Sequence, residues 1–121
     1  MELAGQIREL ATKTLRREYH RIKPEDARVM LFDGGTAPLA SFGPKLSALA
    51  ARELKKLGVE LHMGCLVTEA SPSGIQVKDK DGNLTRHEVG TILWTAGVQA
   101  PPLAHMVAKV TGAEQDQSCG R

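Results

Sequence analysis

Apolar positions in the first stretch of the chain recur at helical spacing. Leu3, Ile7, Leu10, Ala11 and Leu15 share one face and charges take the other, which predicts a helix over 1–19. No Ser, Thr, Asp or Asn stands ahead of Met1 to cap it, so it reads as a helix entered from its middle. The polar stretch 20–27, with Lys23-Pro24-Glu25-Asp26, is a connector. A continuous apolar run at 28–33 (Arg-Val-Met-Leu-Phe-Asp) precedes Gly34 and Gly35 and predicts a strand covered on both faces. A loop with Pro38 follows, then a second helix over 44–57 with Leu46, Leu49, Ala50, Leu54 and Leu57 on one face. Pro44 suits its first turn, Gly58 its left-handed end and Lys55-Lys56 its dipole.

Past the second helix the period changes. A short strand at 59–62 is followed by three more, at 65–70, 74–79 and 84–89. Pro72-Ser73-Gly74 and Asp79-Lys80-Asp81-Gly82-Asn83 are turn clusters between them, so this section predicts an antiparallel meander. A last apolar strand at 91–96 runs into Gly97, with Trp94 as a core aromatic on it. Ala100-Pro101-Pro102 breaks the chain, 103–110 is a weak helix, and 114–121 is a polar tail that frays. Strand, crossover helix and strand make a βαβ unit, so the fold class is α/β: parallel strands with a crossover helix plus a meander. Ligands of such sheets bind beyond the carboxyl ends of the parallel strands.

Composition narrows the function classes. The chain has 121 residues, a net charge of +2 and 41% hydrophobic residues, which fits one folded domain and no dense basic face for nucleic acid. The four aromatics, Tyr19, Phe32, Phe42 and Trp94, are too few for a base-stacking platform. Cys65 and Cys119 lie far apart without a CxxC partner, which excludes a disulfide scaffold and a zinc site of standard spacing. Cys65 reads as a small apolar residue. No apolar run approaches the roughly 18–20 residues that span a bilayer, and no leader peptide is visible, so a reducing, cytoplasmic setting is expected. His20, His62, His87 and His105 lack ligand spacing and read as surface or turn residues.

Asp33 carries the first chemical signal. An acid ending an apolar strand before glycines can accept hydrogen bonds from the ribose hydroxyls of a dinucleotide, and its charge repels a 2′-phosphate, which favours NADH. The same residue also suits a plain turn. A glycine-rich phosphate loop is expected roughly 30 residues before such an acid, just ahead of Met1. The uncapped helix and the missing first strand share one explanation, a chain that starts just after the loop. Thr95-Ala96-Gly97-Val98 is a small-residue turn that would let a planar ring approach the backbone, or a simple strand exit. Glu2 either complements the helix dipole or stands near the reacting end of a nicotinamide.

Five stretches together resemble one family. They are Met-Glu-Leu-Ala-Gly-Gln-Ile at 1–7, Ala-Arg-Val-Met-Leu-Phe-Asp at 27–33, Pro-Leu-Ala-Ser-Phe-Gly-Pro-Lys-Leu-Ser at 38–47, Leu-Lys-Lys-Leu-Gly-Val-Glu at 54–60 and Leu-Trp-Thr-Ala-Gly-Val-Gln-Ala-Pro-Pro-Leu at 93–103. They resemble type II, single-subunit NADH dehydrogenases of the pyridine nucleotide-disulfide oxidoreductase superfamily. The resemblance implies a Rossmann-like NADH-binding domain over 1–113, with 114–121 as tail. It implies electron transport from NADH through FAD to a quinone. It also implies Glu2 as the carboxylate near nicotinamide and flavin, Asp33 and Gly34 at the adenosine ribose, Val67 near the adenine, and Ala96 and Gly97 beside the nicotinamide. The family's FAD domain and membrane segment have no counterpart here. FAD therefore has no site in this chain, the membrane is reached only through other segments of a parent on the cytoplasmic face, and the chain alone is expected to be inactive. The open sheet edge predicts poor stability or self-association.

Two other functions stay open: another flavin reductase of the superfamily (ferredoxin, nitrite or disulfide type), or a non-catalytic α/β module. A redox cysteine pair in flanking sequence marks the former. A stable fold with no NADH binding, or only millimolar binding, points to the latter. Micromolar binding would place the pyrophosphate affinity somewhere other than the loop.

Overall fold

The computed structural model describes residues 1–19, 21–97 and 102–112. It divides into two units, Met1–Gly90 and Thr91–Arg121.

The first unit opens with α1, Glu2–Glu9, whose N-cap Met1 offers no side-chain hydrogen bond. The predicted long helix is interrupted: a π-helical turn at Leu10–Thr14 and a 3-10 turn at Leu15–Arg17 follow α1. Thr12 donates its hydroxyl to the Arg8 carbonyl at 2.9 Å, the type of side-chain bond that bends a helix, and nothing in the apolar stripe signals it. The connector holds one 3-10 turn, Pro24–Asp26.

β1, Val29–Asp33, pairs in parallel with β2, Val59–Met63, in register from Val29 opposite Val59 to Asp33 opposite Met63. The crossover is α2, Pro44–Leu57, with the bounds its sequence predicts. Gly58 takes φ +86° as its left-handed end, and the Gly58 N–H returns to the Leu54 and Lys55 carbonyls. β3, Leu66–Ser71, β4, Gly74–Lys78, and β5, Leu84–His87, form an antiparallel sheet in the order β3-β4-β5. A register shift lies between Val67 and Glu69. Asp79 shapes the β4–β5 turn, accepting from the Asp81 and Asn83 amides at 2.9 Å each and from Asn83 Nδ2 at 3.0 Å.

The core of this unit is small: Ala11, Leu54, Val59, Ile75 and Val77 are buried. The two helical stripes are covered only in part. Leu54 is 8% exposed while Leu46 on the same face is 51% exposed. β1 is half-buried from Val29 to Phe32 rather than covered on both faces.

The second unit contains α3, Pro102–Thr111. The strand expected at 91–96 is not formed: 91–97 make no ladder among the described residues. Apolar β-formers make a strand only where a neighbouring edge takes up their N–H and C=O groups. Trp94, expected in the core, is 63% exposed. His20, Val98, the Ala100-Pro101 break and the 114–121 tail with Cys119 lie outside the described residues.

Candidate functional site

The carboxyl edge of the parallel pair gathers several of the residues singled out by sequence. Asp33 ends β1, and its Oδ1 accepts the Gly35 amide at 2.7 Å, which closes a tight turn over Gly34. Among the described residues Oδ2 makes no hydrogen bond, so it stays available to a donor from outside. The edge is tied to the end of β2. The Gly64 amide donates to the Gly35 carbonyl at 2.7 Å and the Cys65 amide donates to the Asp33 carbonyl at 3.1 Å. A Cβ at Gly34 would meet only the flexible tip of Leu66, its Cδ2 at 2.8 Å. Gly64 turns the chain at φ +69°, which favours glycine. Cys65 is half-buried, its Sγ 3.6 Å from the Met63 carbonyl.

Val67 reaches the neighbourhood through β3. It sits two residues beyond Cys65, opposite Val77 in the ladder, and is half-exposed. The strand that carries Val67 therefore enters its sheet from the loop that fixes Asp33.

Glu2 comes to the same edge by helix direction. Arg8 Nε donates to the Leu57 carbonyl at 3.1 Å, and Gly5 lies against Leu57 and Leu54, where a Cβ would stand at 3.4 and 3.8 Å. Arg8, near the end of α1, also donates to the Ala27 carbonyl just ahead of β1, so α1 ends where α2 ends and where β1 begins, and the two helices run in the same direction. A crossover helix sets out from the carboxyl end of its first strand and returns to the amino end of its second. α1 therefore also starts at the carboxyl edge, and Glu2, its first residue and exposed, stands on the side of Asp33. Ala96 and Gly97 belong to the second unit, where Gly97 takes φ +81°.

Sequence reasoning missed a ring cluster behind this edge. Phe32 and His62 are register partners on β1 and β2 and stack at 4.6 Å with 20° between planes. His87, at the end of β5, meets both rings edge-on, at 5.1 Å from Phe32 and 5.5 Å from His62. The two imidazoles are 25 residues apart, and no spacing rule connects them. Instead of surface or turn histidines, they are half-buried and packed on each other. Burial, and then the neighbouring His87, hold the His62 pKa below its usual value. Glu60, on β2, forms a bidentate pair with Arg28, both oxygens at 2.7 Å, which lowers its pKa. No group of three or more His, Cys, Asp or Glu among the described residues could hold a metal ion. No helix among them is long and apolar enough to cross a membrane.

Comparison with known proteins places this edge in context. The family model described as "Pyridine nucleotide-disulphide oxidoreductase" matches residues 1–117. Two proteins of Mycobacterium tuberculosis are similar across nearly the whole chain. The type II NADH:quinone oxidoreductase NdhA is 40% identical over 100% of this chain, and the type II NADH:quinone oxidoreductase Ndh is 42% identical over 98% of it. The chain spans about a quarter of their length, 26% of each. Among solved structures, NDH2 from Plasmodium falciparum in complex with NADH superposes with a TM-score of 0.75 at 13% identity, over 85% of this chain and 21% of that one. The sulfide:quinone oxidoreductase of Aquifex aeolicus gives 0.61 at 14% identity, over 85% and 23%. These likenesses establish the Rossmann-like α/β fold. With a family match that covers all but the last residues, the chain belongs to the pyridine nucleotide-disulphide oxidoreductases.

Proposed function

We propose that this chain is part of the NADH-binding domain of a flavin-dependent type II NADH:quinone oxidoreductase. Residues 1–113 would be the domain portion and 114–121 the tail. The observation that carries the reading is the carboxyl edge of β1, where a carboxylate ends a parallel strand, commits one oxygen to its own turn and, among the described residues, leaves the other without a partner beside glycine. Asp33 Oδ2 accepts a ribose hydroxyl, Gly34 lets the ribose approach the backbone, and Val67 flanks the adenine. The negative charge disfavours a 2′-phosphate and selects NADH over NADPH. Glu2, at the positive end of α1, would stand near the reacting end of a nicotinamide. Within the second unit, Ala96 and Gly97 present no side chain larger than a methyl group, so a planar ring could approach their backbone.

In the whole enzyme FAD would take the hydride and pass electrons to a quinone. No GxGxxG occurs in the 121 residues. Attachment to the cytoplasmic face of a membrane would be the work of other segments. Identity of 40–42% to NADH:quinone oxidoreductases favours this reading over another reductase of the same superfamily.

Saturation-transfer NMR of NADH with the 121-residue chain tests the proposal. The expected Kd is on the order of millimolar, because pyrophosphate affinity resides in a glycine-rich loop at a helix N-terminus. Weak affinity alone does not separate a cofactor site from a scaffold, whereas its dependence on Asp33 does. Transfer should be strongest at the adenine and adenosine-ribose protons, and Asp33→Ala should abolish it. A folded chain that gives no transfer, or transfer unchanged in the variant, favours the non-catalytic module.

A further inference from the structure

We propose that the His62–Phe32–His87 ring stack is a positioning seam that holds the two halves of the adenosine site together, and that its protonation weakens binding there. The inference rests on the proposed NADH site. Three strands contribute one ring each: β1 through Phe32, β2 through His62 and β5 through His87. Phe32 directly precedes Asp33, whereas β5 belongs to the sheet that carries Val67. The stack is therefore packed contact between the carboxylate that would take the ribose and the strand that would flank the adenine. His62 is also two residues from Gly64, whose amide fixes the Gly35 carbonyl.

A second proton has no good place in this seam. Among the described residues, His62 Nε2 is buried and has no hydrogen-bond partner. The charged and titratable groups that face the ring are Glu60 from β2, Arg28 from just before β1 and His87 from β5. Glu60 Oε2 lies 4.0 Å from Nε2, beyond hydrogen-bond reach. Both Glu60 oxygens are already held by Arg28 at 2.7 Å. His87 stands 5.5 Å away, ring to ring, and when charged repels an imidazolium on His62. A charge on His62 therefore favours leaving the stack or drawing Glu60 from Arg28, and either move would shift Phe32 against Asp33.

The sign follows from the preference for the neutral ring. The folded seam holds the His62 pKa below its unfolded value of about 6.5. Its contribution is complete above that value and is lost as pH falls toward the folded pKa.

ADP-ribose is the probe, since it keeps the adenosine end of NADH and survives acid. It is titrated into the 121-residue chain at pH 7.5 and pH 5.5, with binding read from the Asp33 and Val67 amides by NMR. Wild type should bind about three- to tenfold more weakly at the lower pH, the range one coupled imidazole provides. His62→Phe keeps a stacked ring without a titrating nitrogen and should bind as well as wild type at pH 7.5 with a flat profile. His62→Gln, neutral and without a full ring, should be flat and weaker at both pH values, and it serves if the Phe variant does not fold. Variants that keep the wild-type slope overturn the proposal. No ADP-ribose binding at pH 7.5 overturns the cofactor reading itself. The seam is then decided by the same amides without ligand: shifts that follow the His62 titration uphold it, and shifts that ignore it refute it.

Discussion

Arg8 is the clamp that sets how α1 sits on the sheet, and its removal has a calculable cost. Its guanidinium donates to three carbonyls from two distant segments: Leu57 at 3.1 Å, Glu25 at 2.9 Å and Ala27 at 2.6 Å. Leu57 is the last residue of α2, where carbonyls lack helical partners. Ala27 precedes β1. One side chain therefore ties α1 to the end of the crossover helix and to the entry of the first strand. Hydrogen bonds from a charged donor contribute about 1.5–3 kcal/mol each when buried. Two of these three are exposed, so a net value near 1 kcal/mol apiece is appropriate. Arg8→Ala should then destabilise the chain by about 2–3 kcal/mol, with a melting temperature lower by roughly 10 °C. Urea unfolding followed by far-UV circular dichroism measures it, with an unchanged slope expected because the same surface unfolds. Arg8→Lys, which reaches one or two of the carbonyls without the planar fork, should lose about half as much. Gly58 adds an internal check, since a Cβ there would stand 2.8 Å from Arg8 Nε on a backbone at φ +86°. Gly58→Ala should lose part of its own cost in the Arg8→Ala background. An Arg8→Ala protein within about 0.5 kcal/mol of wild type would refute the clamp.

Other consequences are testable on the same chain. Gly34→Ala should leave stability within about 1 kcal/mol, because the Leu66 tip it meets at 2.8 Å is exposed and can swing away; adenosine-end binding should nonetheless fall severalfold by NMR titration, as the space beside Asp33 closes. Glu60 and Asp79 have pKa values lowered, first by the Arg28 hydrogen bond and the Asn83 hydrogen bond respectively. Their stabilisation is complete above the usual carboxylate range and is lost as pH falls through the folded values; melts between pH 6 and pH 3 should show this slope, reduced in Glu60→Gln and in Asp79→Asn. Among the described residues β1 and β2 pair only with each other, and unpaired edges recruit strands. Sedimentation should therefore show concentration-dependent association, and a strict monomer at all concentrations would contradict it.

How much of this was legible in the sequence depended on whether the signal was local. α2 could be read to the residue because Pro44 and Gly58 mark its ends by backbone chemistry that no tertiary contact overrides. The meander followed from turn clusters, and Asp79 performs the capping its residue type promises. Asp33 was legible because strand, acid and glycine are consecutive. The relation of Glu2 to Asp33 was legible only through family resemblance, since it depends on α1 and α2 running in the same direction. The π-helical turn at Leu10–Thr14 was hidden because an apolar stripe tolerates one added residue. The strand expected at 91–96 fails because periodicity reports β-propensity and burial, while a ladder needs an edge to pair with. The His62–His87 contact brings together two strands of different sheets, information that no local pattern holds.

The central claim is that the turn after β1 holds the adenosine end of NADH. Amide shift mapping of the isotope-labelled chain with NADH at pH 7.5 tests it most directly. The account predicts saturable shifts concentrated at Asp33–Gly35 and at Gly64–Val67, abolished by Asp33→Ala. Shifts confined to other surfaces, or a map that Asp33→Ala leaves intact, would contradict it.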